Sequence, residues 1–202
     1  MLTFPDTEKK IRTKISSYKS SLNKEKRAHG YISDGAGKRY LLFWLYFALG
    51  DLEKFEEYIK WYLREFPDDV GEPAQKLCWA IGLQRMGRVI DAKRMLAELM
   101  LSNLYLIPQL LGESIEKYDI WHSSNYEHMD YYEHVPQELI ARVTADDIAW
   151  INGLYDSFAF RRMRKKYIEI YNQLKYTKDL ESRKALLKES NLIVSYLNEQ
   201  YS

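Results

Sequence analysis

Apolar positions recur at helical spacing over most of the chain, and the strict alternation of a half-buried strand is hard to find anywhere. The first periodic stretch covers residues 5–28. Ile11, Ile15, Tyr18 and Leu22 follow one another in steps of four, three and four, which places them on one helical stripe, and Pro5 and Asp6 suit the start. The other face is basic: Lys9, Lys10, Arg12, Lys14, Lys19, Lys24, Lys26 and Arg27. The stretch "HGYISDGAG" breaks this period. Apolar residues then run from Tyr40 to Leu49, Gly50 and Asp51 interrupt them, and a second helix is expected from Leu52 to Phe66, closed by "PDD". The pattern returns in "AQKLCWAIGLQRM", "GR" and "VIDAKRMLAELML". These segments predict two helix hairpins bent at Gly50 and Gly87, 37 residues apart.

Beyond Leu106 the period degrades. Pro108 suits the first turn of a further helix carrying Leu111, Ile115 and Tyr118 on one face. Residues 121–136 have no clean period and read as an aromatic-rich loop or short broken helices. Thr144 and Asp147 have capping-box spacing and predict a long helix over 145–175. A last helix, 179–199, would carry Leu186, Ser190, Ile193 and Leu197 on one stripe. The expected architecture is one all-α domain over 1–202: an N-terminal helix at 5–28, two hairpins over 37–106, an irregular segment over 107–143 and a C-terminal helix pair over 144–202.

The hairpin region resembles the tetratricopeptide repeat, a pair of antiparallel helices of about 34 residues. Leu49 and Met86 precede the turn glycines, and Tyr46 and Leu83 stand four before them. Phe55, Tyr62 and Pro67 follow Gly50, and Ala92, Leu99 and Leu104 follow Gly87, at the repeat's signature offsets. Phe55 and Tyr62 depart from the family's small residues, so a looser first hairpin is expected. The resemblance implies a concave groove lined by the first helix of each pair, here Tyr40, Trp44, Phe47, Leu77, Ile81, Gln84 and Arg85. It also implies a protein segment as partner. So apolar a groove must be covered, either by the terminal helices of this chain or by an amphipathic segment of another protein.

Composition narrows the function classes. The chain has 202 residues, 46% of them hydrophobic and 29% charged, with a formal net charge of +1, so overall charge argues for neither nucleic acid nor membrane. The charge is unevenly spread. Residues 1–39 hold ten basic and four acidic residues (net +6), whereas 113–147 hold nine acidic and two basic (net −7). Cys78 is the only cysteine, which rules out an intramolecular disulfide and fits a reducing compartment. The N-terminus lacks the apolar core of a signal peptide, and the run 40–49 is too short to span a bilayer. A cytoplasmic protein with no membrane association is expected.

Three stretches are candidates for chemistry. "SDGAGKRY", 33–40, looks like a phosphate loop, but Ile32 stands where a P-loop needs its first glycine and Arg39 where it needs Ser or Thr. Asp34 reads better as a helix cap. Free amides beside Lys38 and Arg39 leave an anion site open. The segment 119–134 carries His122, His128 and His134 among four acidic residues, Asp119, Glu127, Asp130 and Glu133, but steps of six put neighbouring histidines on different helix faces, so a metal is only a weak reading. Residues 161–166, "RRMRKK", offer Arg161, Arg162, Arg164, Lys165 and Lys166 for phosphate contacts with nucleic acid, or form a solvated helix face. No Ser-His-Asp or Cys-His assembly stands out, and no cofactor is implied. The leading expectation is a non-enzymatic scaffold that binds a protein segment or itself. A nucleic-acid-binding protein using 161–166 and a metal-dependent enzyme using 119–134 are the alternatives.

Overall fold

The structure, a computed structural model, describes residues 4–197. Among these the fold is all-α, without a strand, and its helix-on-helix packing is consistent with a helical-repeat protein. The chain divides into two compact units. The first takes the chain up to Ala92 together with Val135–Val143, and the second takes Lys93–His134 and the chain from Thr144 onward.

The first unit opens with α1 (Glu8–His29). Thr7, rather than Pro5 or Asp6, caps it by accepting a hydrogen bond from the Lys10 amide, and Ile11, Ile15 and Leu22 are buried. Helix α1 packs on α2 (Lys38–Leu49), which packs on α3 (Leu52–Glu65) and α4 (Pro73–Arg85). Gly50, in the left-handed region at φ 73°, lets the chain fold back between α2 and α3, and the Asp51 carboxylate caps α3 through the Lys54 amide. The core of this hairpin is aromatic. The Phe43 ring lies 5.0–5.8 Å from the rings of Phe55, Tyr58, Tyr62 and Trp79. Burial of a side chain such as Phe43 or Phe55 stabilises the fold by roughly 1.5–3 kcal/mol.

Pro73 at the first position and a capping box between Glu72 and Gln75 start α4. Its end is the expected bend at Gly87 (φ 75°), where the amides of Gly87 and Arg88 bond back to the carbonyls of Gln84 and Leu83. Helix α5 (Val89–Ser102) follows, and the boundary between the units falls inside it. The first unit is completed by Val135–Val143. Val135 and Leu139 are buried there, and the Arg85 guanidinium donates to the Arg142 carbonyl at 2.9 Å.

In the second unit, α6 (Leu106–Leu110) is short. The helix expected to carry Leu111, Ile115 and Tyr118 is absent. Gly112 turns left-handed at φ 75°, its amide and that of Glu113 close the helix on Gln109 and Pro108, and the chain continues without regular structure. That stretch is pinned by the Tyr118 amide donating to the Tyr105 hydroxyl and by the Trp121 amide donating to the Tyr171 carbonyl. Short 3-10 turns at Asn125–Glu127 and Met129–His134 follow, in keeping with the broken period. Four-residue α7 (Gln137–Ile140) lies in the segment of the first unit.

The capping box at Thr144 is present and starts α8 (Ala145–Tyr155). The single helix expected over 145–175 is two. Ser157 donates to the Leu154 carbonyl at the end of α8 and caps α9 (Phe158–Tyr176) through the Phe160 amide, which resets the helix. The last helix, α10 (Leu180–Asn191), stops earlier than expected and gives way to a 3-10 turn at Ile193–Leu197, which packs on α9. Positions 198 and 199 of the expected helix lie outside the described residues. Among the described residues no helix is long and apolar enough to cross a membrane.

Candidate functional site

A surface groove of about 790 Å³ runs along α1 where it meets α2 and α3. Ile15, Tyr46 and Leu49 line it on the apolar side. Arg12, Lys19, Lys26, Arg27 and Lys54 give it five cations, and Ser16, Ser20 and Asn23 add small polar groups. The helical period explains the arrangement. When Ile11, Ile15 and Leu22 face α2, residues 12, 16, 19, 23 and 27 recur at three- and four-residue steps along the neighbouring stripe of α1. Lys26 pairs with Glu65, Lys54 with Asp51 at 2.7 Å and Arg12 with Glu8 at 2.8 Å. Lys19 and Arg27 make no ion pair among the described residues. Burial pushes the Tyr46 phenol up to about 12, with the Glu57 and Asp51 carboxylates adding to the shift. Tyr46 is therefore a neutral wall at physiological pH.

The seven residues expected on a concave groove lie mostly inside. Trp44, Phe47, Leu77 and Ile81 are buried, whereas Tyr40, Gln84 and Arg85 keep partial exposure. Trp44 borders a tight space shared with Phe4, Pro5 and Tyr18, so the N-terminal segment covers it, one of the two arrangements anticipated. Phe47 lies beneath Arg85, whose guanidinium is 4.8 Å from the ring centroid and also reaches Arg142. The cover supplied by Val135–Val143 was not anticipated.

"SDGAGKRY" is the start of α2. Asp34, 4% exposed and in the left-handed region at φ 46°, accepts from the Lys38 amide at 2.9 Å and the Arg39 amide at 2.8 Å. The two amides that could have held an external anion are filled by this carboxylate. Lys38 donates its ammonium to Ser21 Oγ at 2.7 Å. Arg39 pairs with Asp34 and Asp69 and lies 4.3 Å from the Tyr40 ring centroid, while Tyr40 donates its hydroxyl to Asp69 at 2.7 Å. Tyr58 donates to the Arg39 carbonyl at 2.6 Å. The result is a knot tying the start of α2 to α3 and to the loop before α4. Burial raises the Asp69 carboxyl, but the Tyr40 hydroxyl, the Gly71 amide and the Arg39 guanidinium together hold it below the usual aspartate range.

The basic run of α9 is dispersed around the helix. Arg164 lies over the Tyr155 ring at 3.9 Å and donates to the Tyr155 carbonyl; Lys166 pairs with Glu189 at 2.6 Å. Arg162 lies over the Tyr196 ring, and Lys165 is 4.0 Å from Glu169. Arg161 is exposed. The histidines are also separated in role. His122 and His128 approach with ring centroids 5.1 Å apart, and His122 Nδ1 is 3.7 Å from Glu127, whose carboxylate accepts from the Ser123 amide and hydroxyl. His134 is exposed. Burial, the first cause, lowers the His122 pKa; Glu127 opposes it. No group of three or more His, Cys, Asp or Glu that could hold a metal ion occurs among the described residues. Cys78 is a buried core thiol, its pKa pushed well up by burial.

Sequence reasoning noted the basic face of α1 without making it a site. The stripe 12, 16, 19, 23, 27 beside the apolar stripe was the available signal. Lys54, reaching in from α3, had none. Comparison with protein-family models, curated proteins and solved structures gives no match to this chain.

Proposed function

We propose that this protein is a non-enzymatic scaffold of tetratricopeptide-like hairpins that docks a protein segment in the groove between α1 and the α2–α3 hairpin. One observation carries the reading: a groove of about 790 Å³ on three packed helices, with an apolar side and two cations, Lys19 and Arg27, that make no ion pair among the described residues. Packed helices hold such a surface rigid, so a partner bears little of the cost of ordering it. The offsets about Gly50 and Gly87 support the kinship to tetratricopeptide hairpins. The absence of a second cysteine, with Cys78 buried, goes with a cytoplasmic setting.

The test is affinity capture from the native cell with the wild-type chain and with Lys19→Glu/Arg27→Glu as bait. Both positions are exposed, so the double variant should fold. A protein retained by the wild type and lost by the variant supports the groove. Equal capture by both overturns it.

A further inference from the structure

The groove of α1–α3 carries more positive charge than its own helices neutralise. Lys26, Lys54 and Arg12 make ion pairs, whereas Lys19 and Arg27, eight residues apart and so on one face of α1, make none among the described residues. The same chain carries an acidic stretch, 113–147, with the opposite imbalance. Of the nine acids in 113–147, Asp119 pairs with Lys175, Glu127 holds Ser123, and Asp147 belongs to the α8 cap. Glu113, Glu116, Asp130 and Glu133 are exposed and make no ion pair among the described residues. Asp130 and Glu133 stand three apart on the 3-10 turn Met129–His134, where side chains at that spacing eclipse one another. They therefore present two carboxylates along one edge.

We propose that the segment taken by this groove is the acidic stretch of a second copy of the chain, with Asp130 and Glu133 of one molecule facing Lys19 and Arg27 of the next. This rests on the groove being the docking surface and adds the identity of the occupant. Three facts carry it. The two blocks are nearly equal and opposite, +6 for 1–39 and −7 for 113–147. The whole chain is almost neutral, at +1, so two copies approach without net repulsion. On each block, the members singled out make no ion pair among the described residues, so pairing them does not first require breaking one. The contact joins two different patches, and such heterologous contacts build rings or chains of copies.

Analytical ultracentrifugation of the purified chain tests this at low ionic strength and again in about 1 M salt, where the screening length falls to about 3 Å. Association that grows with concentration at low salt and weakens at least tenfold at high salt is expected. Lys19→Glu/Arg27→Glu and, separately, Asp130→Lys/Glu133→Lys should each abolish it, with helical content unchanged by circular dichroism. An equimolar mixture of the two variants should associate again, because the intact Lys19 and Arg27 of one meet the intact Asp130 and Glu133 of the other, and the reversed charges match as well. A monomer at low salt overturns the proposal, as does association that survives high salt or either charge reversal. Failure of the mixture to associate overturns the assigned pairing. If the pure chain is monomeric while a different protein is still captured through Lys19 and Arg27, the second copy is wrong and the scaffold reading stands.

Discussion

Phe55 of α3 and Gly82 of α4 fill a single space between two helices. A Cβ built on Gly82 comes within 2.8 Å of Cδ1 of the Phe55 ring and closer still to its edge, and the ring is 1% exposed. The bulk at position 55, expected to loosen the first hairpin, is accommodated by a glycine on the next helix. Gly82→Ala should therefore destabilise the protein by about 1–3 kcal/mol, the range for overfilling a packed core. In a Phe55→Leu background the same change should cost clearly less. Urea unfolding of the four proteins of this cycle checks the coupling, and additive effects would show that the two residues do not share the space.

The knot at the start of α2 makes an acid-sensitive prediction. Because the Asp69 carboxyl is held below its ordinary value, the stability it contributes is present above the unfolded aspartate pKa of about 3.9 and is lost as pH falls through the lower folded value. Asp69→Asn should lower the unfolding midpoint at neutral pH, and its deficit against wild type should shrink steadily below about pH 4. A deficit independent of pH would mean that the carboxylate charge is irrelevant there.

The buried tyrosines of the two units predict the opposite limit. Burial pushes the phenols of Tyr46 and Tyr155 up to about 12, and those of Tyr58, Tyr62 and Tyr167 are raised as well. An unfolded tyrosine titrates near 10, so this stability is complete below about pH 10 and is lost as pH rises toward 12. Thermal midpoints should fall over that interval, with a cooperative rise in phenolate absorbance accompanying loss of helix. Ionisation of all tyrosines before any helix is lost would contradict this.

Asn103 offers a fourth test. It is 2% exposed, accepts from the amides of Tyr105 and Leu106 at 2.8 Å each, and donates to the carbonyls of Tyr126 and His128 at 2.6 and 3.1 Å. Its amide thus joins the start of α6 to the turn at 125–128. Asn103→Ala leaves several of these buried groups unpaired and should cost about 2–3 kcal/mol. Proteolysis of 121–130 should accelerate with it. An unchanged denaturation midpoint would refute the assignment.

Bends at Gly50 and Gly87, the Thr144 cap and the buried stripe of α1 were legible in the sequence, because each rests on local spacing or on a residue with a strong backbone preference. The break at Ser157 was not. Apolar spacing continues through it, and only Ser157 bonding in both directions marks the end of one helix and the start of another. The helix expected to carry Ile115 and Tyr118 failed for a related reason. Gly112 outweighs a weak stripe, and the chain beyond it finds partners in Tyr105 and Tyr171, distant along the chain. The proposed site was half visible. Its α1 cations were plain, but Lys54 and Tyr46 reach it only once α2 and α3 have folded against α1.

Val135–Val143 belongs with the part of the chain that ends at Ala92. A ribosome making this protein must therefore release residues 93–134 before Arg85 can reach the Arg142 carbonyl and the first unit can be completed. Until then the nascent chain carries an incomplete first unit, a vulnerable interval during synthesis. A gene fragment cut after Ala92 would make that interval permanent.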